Sequence, residues 1–163
     1  MAKNLNDKHI LEWGAGQSTL WWAKRAKSVL AFESSPEWHR YITQAAPANA
    51  QVYFTHDTID DVDQHLVAEG FDIIVIDGLD RYKCAVKSIN LISKDGAIIL
   101  DNSDGFWGKE GEYPIIDFLR RNGFQRIDFY GYPAGVIQPH CTSIFFKSDC
   151  FLLTGREYPM RHC

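Results

Sequence analysis

The sequence predicts a doubly wound α/β sandwich, a mostly parallel sheet with helices on both faces. Three observations predict it. Short apolar runs alternate with segments of helical spacing from one end of the chain to the other. Two of the runs, Phe71 to Asp77 (FDIIVID) and Ala97 to Asp101, are apolar almost throughout, as strands buried on both faces of a parallel sheet are. The first run, Ile10-Leu11, leads through Glu12 and Trp13 into Gly14-Ala15-Gly16, a helix-like stretch, and a second run, Val29 to Phe32, that ends in Glu33. Strand, glycine turn, helix, strand and terminal acid is the front half of a nucleotide-binding βαβ unit.

Each element has its own signal. His9 to Trp13 is a short strand, and Ser18 to Lys27 a helix with Leu20, Trp21 and Ala23 facing inward. Ser28 to Glu33 is the second strand. Ser35-Pro36 opens a helix, as N-cap and first-turn proline, that runs to Ala45. Gln51 to Thr55 is a strand. Thr58 starts a helix with Asp60, Asp61 and Asp63 against its positive end, finishing near Gly70. The Phe71 strand is followed by a helix over Arg81 to Ile92, with Ala85, Ile89 and Ile92 on one face. Lys94-Asp95-Gly96 is a turn before the Ala97 strand. Pro114 to Asn122 is a helix stopped by Gly123. Phe124 to Gly131 and Thr142 to Lys147 close the chain as an antiparallel pair.

Composition narrows the partners. With 163 residues the chain reads as one domain, 1–163, with a core over about 9–147 and a short tail, 148–163. Hydrophobic residues make up 45%, enough for a packed interior. A formal net charge of -4 argues against a broad basic footprint, so no nucleic-acid partner is expected. No apolar run approaches the roughly 20 residues a membrane helix needs, and the first residues carry no apolar signal region. Cys84, Cys141, Cys150 and Cys163 form no C-x-x-C pair and read as reduced thiols, which predicts a cytoplasmic protein. His140-Cys141 and His162-Cys163 read as a strand flank and a chain end rather than metal ligands.

Interesting side chains cluster at strand ends: Glu12 to Gly14, Glu33, Asp57, Asp77-Gly78 and Asp101-Asn102. Ligands of such sheets bind there. Gly14 and Gly16 allow a sharp turn and close approach to a ligand, and Glu33 is placed to accept from two ribose hydroxyls. A dinucleotide fingerprint wants a third glycine, but Thr19 stands there. A carboxylate beside the loop, Glu12, would repel a pyrophosphate and favour a cationic ligand.

On Glu12, Gly14 and Gly16 the chain resembles the class I S-adenosylmethionine-dependent methyltransferases, whose first motif is E/D-x-G-x-G. The resemblance implies a Rossmann-like, seven-stranded, mostly parallel sheet with an antiparallel last strand. It implies S-adenosylmethionine held by Glu12, Gly14, Ala15, Gly16, Ser18 and Thr19 at the loop, and by Glu33 and Ser34 at the ribose. Asp57 and Thr58 would face the adenine, and Asp77 and Gly78 the fourth strand's end. Asp57 also suits a helix N-cap, and Trp38 either flanks the adenine or packs in the core.

A second pattern, Asp77-Gly78-Leu79-Asp80-Arg81 with Asp101-Asn102-Ser103-Asp104, is similar to the catechol and caffeoyl-CoA O-methyltransferases. There the positions matching Asp77, Asp101 and Asn102 bind a divalent cation. Here the spacing is shorter and Asp80 and Arg81 replace the catalytic lysine, so a metal is not favoured. Within the class the chain is most similar to small uncharacterised bacterial members with D-G-x-x-R and T-S-x-F, the latter Thr142 to Phe145 here. Asp77 or Asp101 then acts as a general base or orients a nucleophile, and Arg81 holds an anionic substrate group, pairs with Asp104, or caps its helix in a salt bridge.

Together these readings give a methyltransferase, with Asp77, Arg81 and Asp101 as catalytic residues, acting on a hydroxyl of a small molecule or glycan. Tyr82, Trp107, Tyr130 and Tyr132 are candidates for lining its pocket. Ile76-Asp77-Gly78-Leu79 lacks the N-P-P-Y-like tetrapeptide of amide and base N-methylation. The alternatives are a non-catalytic S-adenosylmethionine-binding module and an NAD-dependent oxidoreductase. Glu12, Thr19 and the lack of a Tyr-x-x-x-Lys pair weigh against the second. The first strand starts so early that the helices covering substrate in the family are missing from this sequence. A lid would come from residues 105–111, 131–140, the tail or a partner chain, and self-association is expected.

Overall fold

The fold comes from a computed structural model, which describes residues 5–56, 62–66, 70–78, 80–105, 111–132 and 137–153. Its strands are β1 (His9–Trp13), β2 (Ser28–Glu33), β3 (Ala50–Phe54), β4 (Phe71–Ile76), β5 (Ile92–Leu100), β6 (Gln125–Gly131) and β7 (His140–Phe146). They form one seven-stranded sheet in the order β3-β2-β1-β4-β5-β7-β6. All pairs from β3 to β5 are parallel, and β7 runs antiparallel to both β5 and β6. The helices are α1 (Gln17–Ala23), α2 (Pro36–Ala45), α3 (Arg81–Ser88) and α4 (Pro114–Arg121). This is the Rossmann-like doubly wound arrangement, with its antiparallel final strand.

Side-chain alternation builds two cores from one sheet. Ile74 and Ile76 of β4 pack with Cys84, Ala85, Ile115 and Leu119 beneath α3 and α4. Ile73 and Val75 pack with Trp22, Ala23 and Ile42 beneath α1 and α2. That double burial is why the FDIIVID run carries no polar face. Among the described residues no helix is long and apolar enough to cross a membrane.

Several expectations change. α1 ends at Ala23, short of Lys27, because the Asn49 amide donates to the Ala23 and Ala26 carbonyls at 2.8 and 3.1 Å and caps the helix. Its inward tryptophan is Trp22, with Trp21 40% exposed. α3 stops at Ser88 and Ile92 begins β5, because the Phe71 amide takes the Leu91 carbonyl and Ile92 pairs with Phe71. Lys94-Asp95-Gly96 is no turn between elements but a bulge inside β5, where the register with β4 shifts. Gly96 is required there, since a Cβ would sit 2.9 Å from the Asp72 carbonyl oxygen. Between β3 and β4 the described residues form only a 3₁₀ turn, Asp63–His65. Residues 57–61 and 67–69 of the expected helix lie outside the described residues.

Candidate active site

The carboxyl ends of β1, β2, β3 and β4 open into a cavity of about 840 Å³, within the size range of cofactor pockets. Its wall includes Gly14, Ala15, Gly16 and Ser18 from the glycine loop, and Glu33 and Ser34 after β2. Asp77, Gly78 and Arg81 line it from the β4 end, with Trp38, His56 and Tyr82 around the rim. Parallel register puts these ends side by side, since Glu12 pairs with Ala31 and Val75, and Trp13 with Phe32 and Ile76.

The two loop glycines do different work. Gly14 has φ +98°, and a Cβ there would lie 2.6 Å from the Gly78 nitrogen. The β1 and β4 loops thus touch backbone to backbone, which accounts for Gly14 and Gly78 together. Gly16 has an ordinary extended φ of -159°, and the nearest atom to a Cβ would be Ser18 Oγ at 3.7 Å. Neither conformation nor packing demands glycine there. The space beside it belongs to the cavity, so its missing side chain leaves room for a ligand. Gly16 N–H donates to Thr19 Oγ1 at 2.9 Å and the Thr19 amide donates to the Gly16 carbonyl at 3.0 Å, which locks the helix start. Thr19 therefore fills the third-glycine position with a cap.

Glu12 and Thr19 sit beneath the loop and are both fully buried. The Thr19 hydroxyl donates to Glu12 Oε2, while Oε1 has no hydrogen-bond partner among the described residues. Burial pushes the Glu12 carboxyl up to about 7, and the nearby charges of Asp77 and Glu33 add to the shift. A half-satisfied carboxylate close to two others is costly alone, and it suits a cationic ligand above the loop. Glu33 Oε1 accepts from the Ser35 amide at 2.7 Å, which fixes the carboxylate at the rim.

On the opposite side, Asp77 is pushed up to about 6, first by burial and then by Asp101, against the lowering effect of Arg81. Arg81 pairs with Asp77 at 3.0 Å. The expected Arg81–Asp104 pair is replaced, because Asp104 accepts from the Cys141 amide at 3.1 Å. Nor does Arg81 reach out to an anion: its guanidinium donates to the Gly78 carbonyl at 3.1 Å and to the Asp101 carbonyl. Asp101 does not line the cavity, and its Oδ1 accepts from Thr142 Oγ1 at 2.6 Å. Of the aromatic candidates, Tyr82 lines this cavity, Tyr130 lines a separate one beside α4, and Tyr132 is 73% exposed. Asp57, Thr58 and Trp107 lie outside the described residues.

Sequence reasoning missed Gln17 and Thr55 on the wall, and gave no role to Trp13 beside them or to Thr142 behind them. Thr55 follows β3 and could have been found by the same strand-end rule as Glu33. Trp13, read only as a strand terminus, stacks on Phe32 at 5.2 Å and donates from Nε1 to Ser88 Oγ at 3.0 Å. Among the described residues no group of three or more His, Cys, Asp or Glu side chains gathers as metal ligands.

Comparison with known proteins agrees with this geometry. A family model described as a methyltransferase domain matches residues 11–103, more than half of the 163-residue chain. No curated protein matches it. Solved structures share the fold at low identity. One is a precorrin-6y C5,15-methyltransferase from Geobacter metallireducens GS-15 (12% identity, TM-score 0.65, covering 90% of this chain and 83% of that one). Another is the O-methyltransferase TomG from Streptomyces achromogenes in complex with SAM (13%, 0.66, 86% and 73%). A third is the N-methyltransferase NodS from Bradyrhizobium japonicum WM9 in complex with S-adenosyl-L-homocysteine (16%, 0.66, 86% and 78%). These three are named for carbon, oxygen and nitrogen methylation, so the shared fold does not choose the acceptor. With its glycine loop, its strand order and the family match in one register, the chain belongs to the methyltransferase-domain family and is a class I S-adenosylmethionine-dependent methyltransferase.

Proposed function

We propose that the protein transfers a methyl group from S-adenosylmethionine to a hydroxyl of a small molecule or glycan. The observation that carries the reading is the division of the cavity. One side holds the open glycine loop over buried Glu12, with Glu33 at the rim. The other holds a half-exposed carboxylate, Asp77, whose raised pKa leaves it basic yet ionised near neutral pH.

In this reading Gly14, Ala15, Gly16, Ser18 and Gly78 shape the cofactor end, Glu12 balances its positive charge from below, and Glu33 with Ser34 receives the ribose. When bound, the cofactor supplies an activated methyl group on a cationic sulfur. The residues then have two tasks, alignment and proton removal. Asp77 would take and hold the proton released by the acceptor hydroxyl. Asp101 is a supporting residue held by Thr142, and Arg81 fixes Asp77.

The test is methyl-labelled cofactor offered to a panel of phenols, sugars and primary amines, with products resolved by mass spectrometry. Label on an oxygen of a phenol or sugar is the expected outcome. Label only on amines would contradict the acceptor assignment, and no transfer with intact cofactor binding would favour the non-catalytic module.

A further inference from the structure

Two residues in left-handed backbone conformation, Asp80 (φ 51°) and Asn102 (φ 49°), flank the ends of β4 and β5. Asp and Asn are the non-glycine side chains that best tolerate it. Across these loop ends Arg81 spans from one strand to the other. Its Nε donates to the Gly78 carbonyl at 3.1 Å, and Nη1 donates to the Asp101 carbonyl. Nη2 lies 3.0 Å from Asp77 Oδ1, 3.3 Å from the Asp77 carbonyl oxygen and 3.4 Å from Asn102 Oδ1. The Arg81 side chain is only 10% exposed.

A carboxylate, an amide oxygen and three backbone carbonyls thus converge on one planar group. Hard divalent cations take oxygen ligands of these kinds. Here the centre is taken by a guanidinium, whose charge is permanent and whose donors are fixed in a plane. The Asp101 carboxylate, the other oxygen ligand expected of a metal site, is engaged by the Thr142 hydroxyl at 2.6 Å. With the guanidinium donating to these oxygens, and with no group of three or more His, Cys, Asp or Glu side chains gathered among the described residues, the residues present do not fit a bound metal.

We propose that Arg81 is a built-in replacement for a divalent cation, a positioning residue that holds Asp77 against the Asp101–Asn102 turn and makes the site metal-independent. A metal offers open coordination positions to two neighbouring substrate oxygens; this guanidinium is spent on protein acceptors. The acceptor class that follows is a single hydroxyl, with no preference for a chelating pair. The substrate consequence rests on the methyltransferase reading above. The test of the replacement does not, because it needs neither cofactor nor turnover.

Mn²⁺ alone is the probe, titrated into the full chain and followed by electron paramagnetic resonance. Wild type is expected to bind Mn²⁺ no better than millimolar. Arg81→Ala, shown folded by circular dichroism, is expected to bind at least tenfold tighter, and the gain to vanish in Arg81→Ala/Asp77→Asn. Arg81→Met, which keeps the stem, serves if the alanine variant does not fold. Micromolar Mn²⁺ binding by wild type that Asp77→Asn abolishes would overturn the proposal; that arm needs no Arg81 variant. A folded Arg81 variant that gains no Mn²⁺ affinity would also overturn it.

Discussion

Asp77→Asn is expected to lower kcat for methyl transfer by roughly 10²- to 10⁴-fold, the usual worth of a positioned general base. The expectation rests on position and protonation together. Asp77 lines the cavity with its side chain 41% exposed, whereas Asp101 lies behind it on Thr142. Burial, and next the charge of Asp101, lift the Asp77 carboxyl to about 6. A base must be ionised to act, so the wild-type rate is expected to fall as pH drops through about 6 and to level off above it. The asparagine variant should show no such limb. A kcat within threefold of wild type, with the acidic limb retained, would remove Asp77 from the role. The effect belongs in kcat, because an amide can still hydrogen-bond a substrate hydroxyl but cannot take its proton.

Glu12→Gln has the second large effect, and it works in opposite directions on stability and on binding. The folded-state carboxyl is raised to about 7 from an ordinary 4.5. Between those values the folded protein holds a proton that the unfolded chain has released, so stability falls as pH rises through that window. Below it both states are protonated and above it both are ionised. The loss across the window is about 3 kcal/mol at 1.36 kcal/mol per pH unit. Glutamine keeps the shape, leaves an oxygen to accept from Thr19, and never ionises. The variant is therefore expected to melt several degrees above wild type at pH 8 and to match it at pH 4.5 or below, read from urea and thermal unfolding at each pH. Its affinity for the cationic cofactor should fall, because the buried negative charge under the loop is gone. A variant less stable than wild type at pH 8 would contradict this, and would mean that the Ser18 and Thr19 hydroxyls outweigh the cost of burying the charge.

The sheet was legible in the sequence where burial is two-sided. Phe71 to Ile76 reads as a central strand because Ile73 and Val75 serve one core and Ile74 and Ile76 the other. Element ends were less legible where a tertiary contact, not a local signal, sets them. Nothing in the Ala85, Ile89, Ile92 spacing says that the helix must stop at Ser88; pairing of Phe71 with Ile92 decides it. Trp21 and Trp22 are neighbours of the same type, and a short helix whose register shifts by one residue exchanges them.

The site divides in the same way. Gly14, Gly16, Glu33 and Asp77 follow from the rule that ligands meet strand carboxyl ends, and all four line the cavity. The burial of Glu12 under the loop was not legible, because a strand-end acid reads equally well as exposed. A salt bridge at the start of its helix was legible for Arg81, but not which acid it takes, since Asp77, Asp101 and Asn102 come together only at the loop ends after β4 and β5. Thr142 reaches Asp101 across 41 residues of sequence, so only the β5–β7 pairing brings them together.

The cofactor site is best tested by calorimetric titration with S-adenosylmethionine and, in parallel, NAD⁺, on wild type and Glu33→Ala. Micromolar S-adenosylmethionine binding that Glu33→Ala weakens at least tenfold, about 1.4 kcal/mol, is expected, with no comparable NAD⁺ binding. Tight NAD⁺ binding with no S-adenosylmethionine signal would contradict it, as would cofactor affinity untouched by loss of the Glu33 carboxylate.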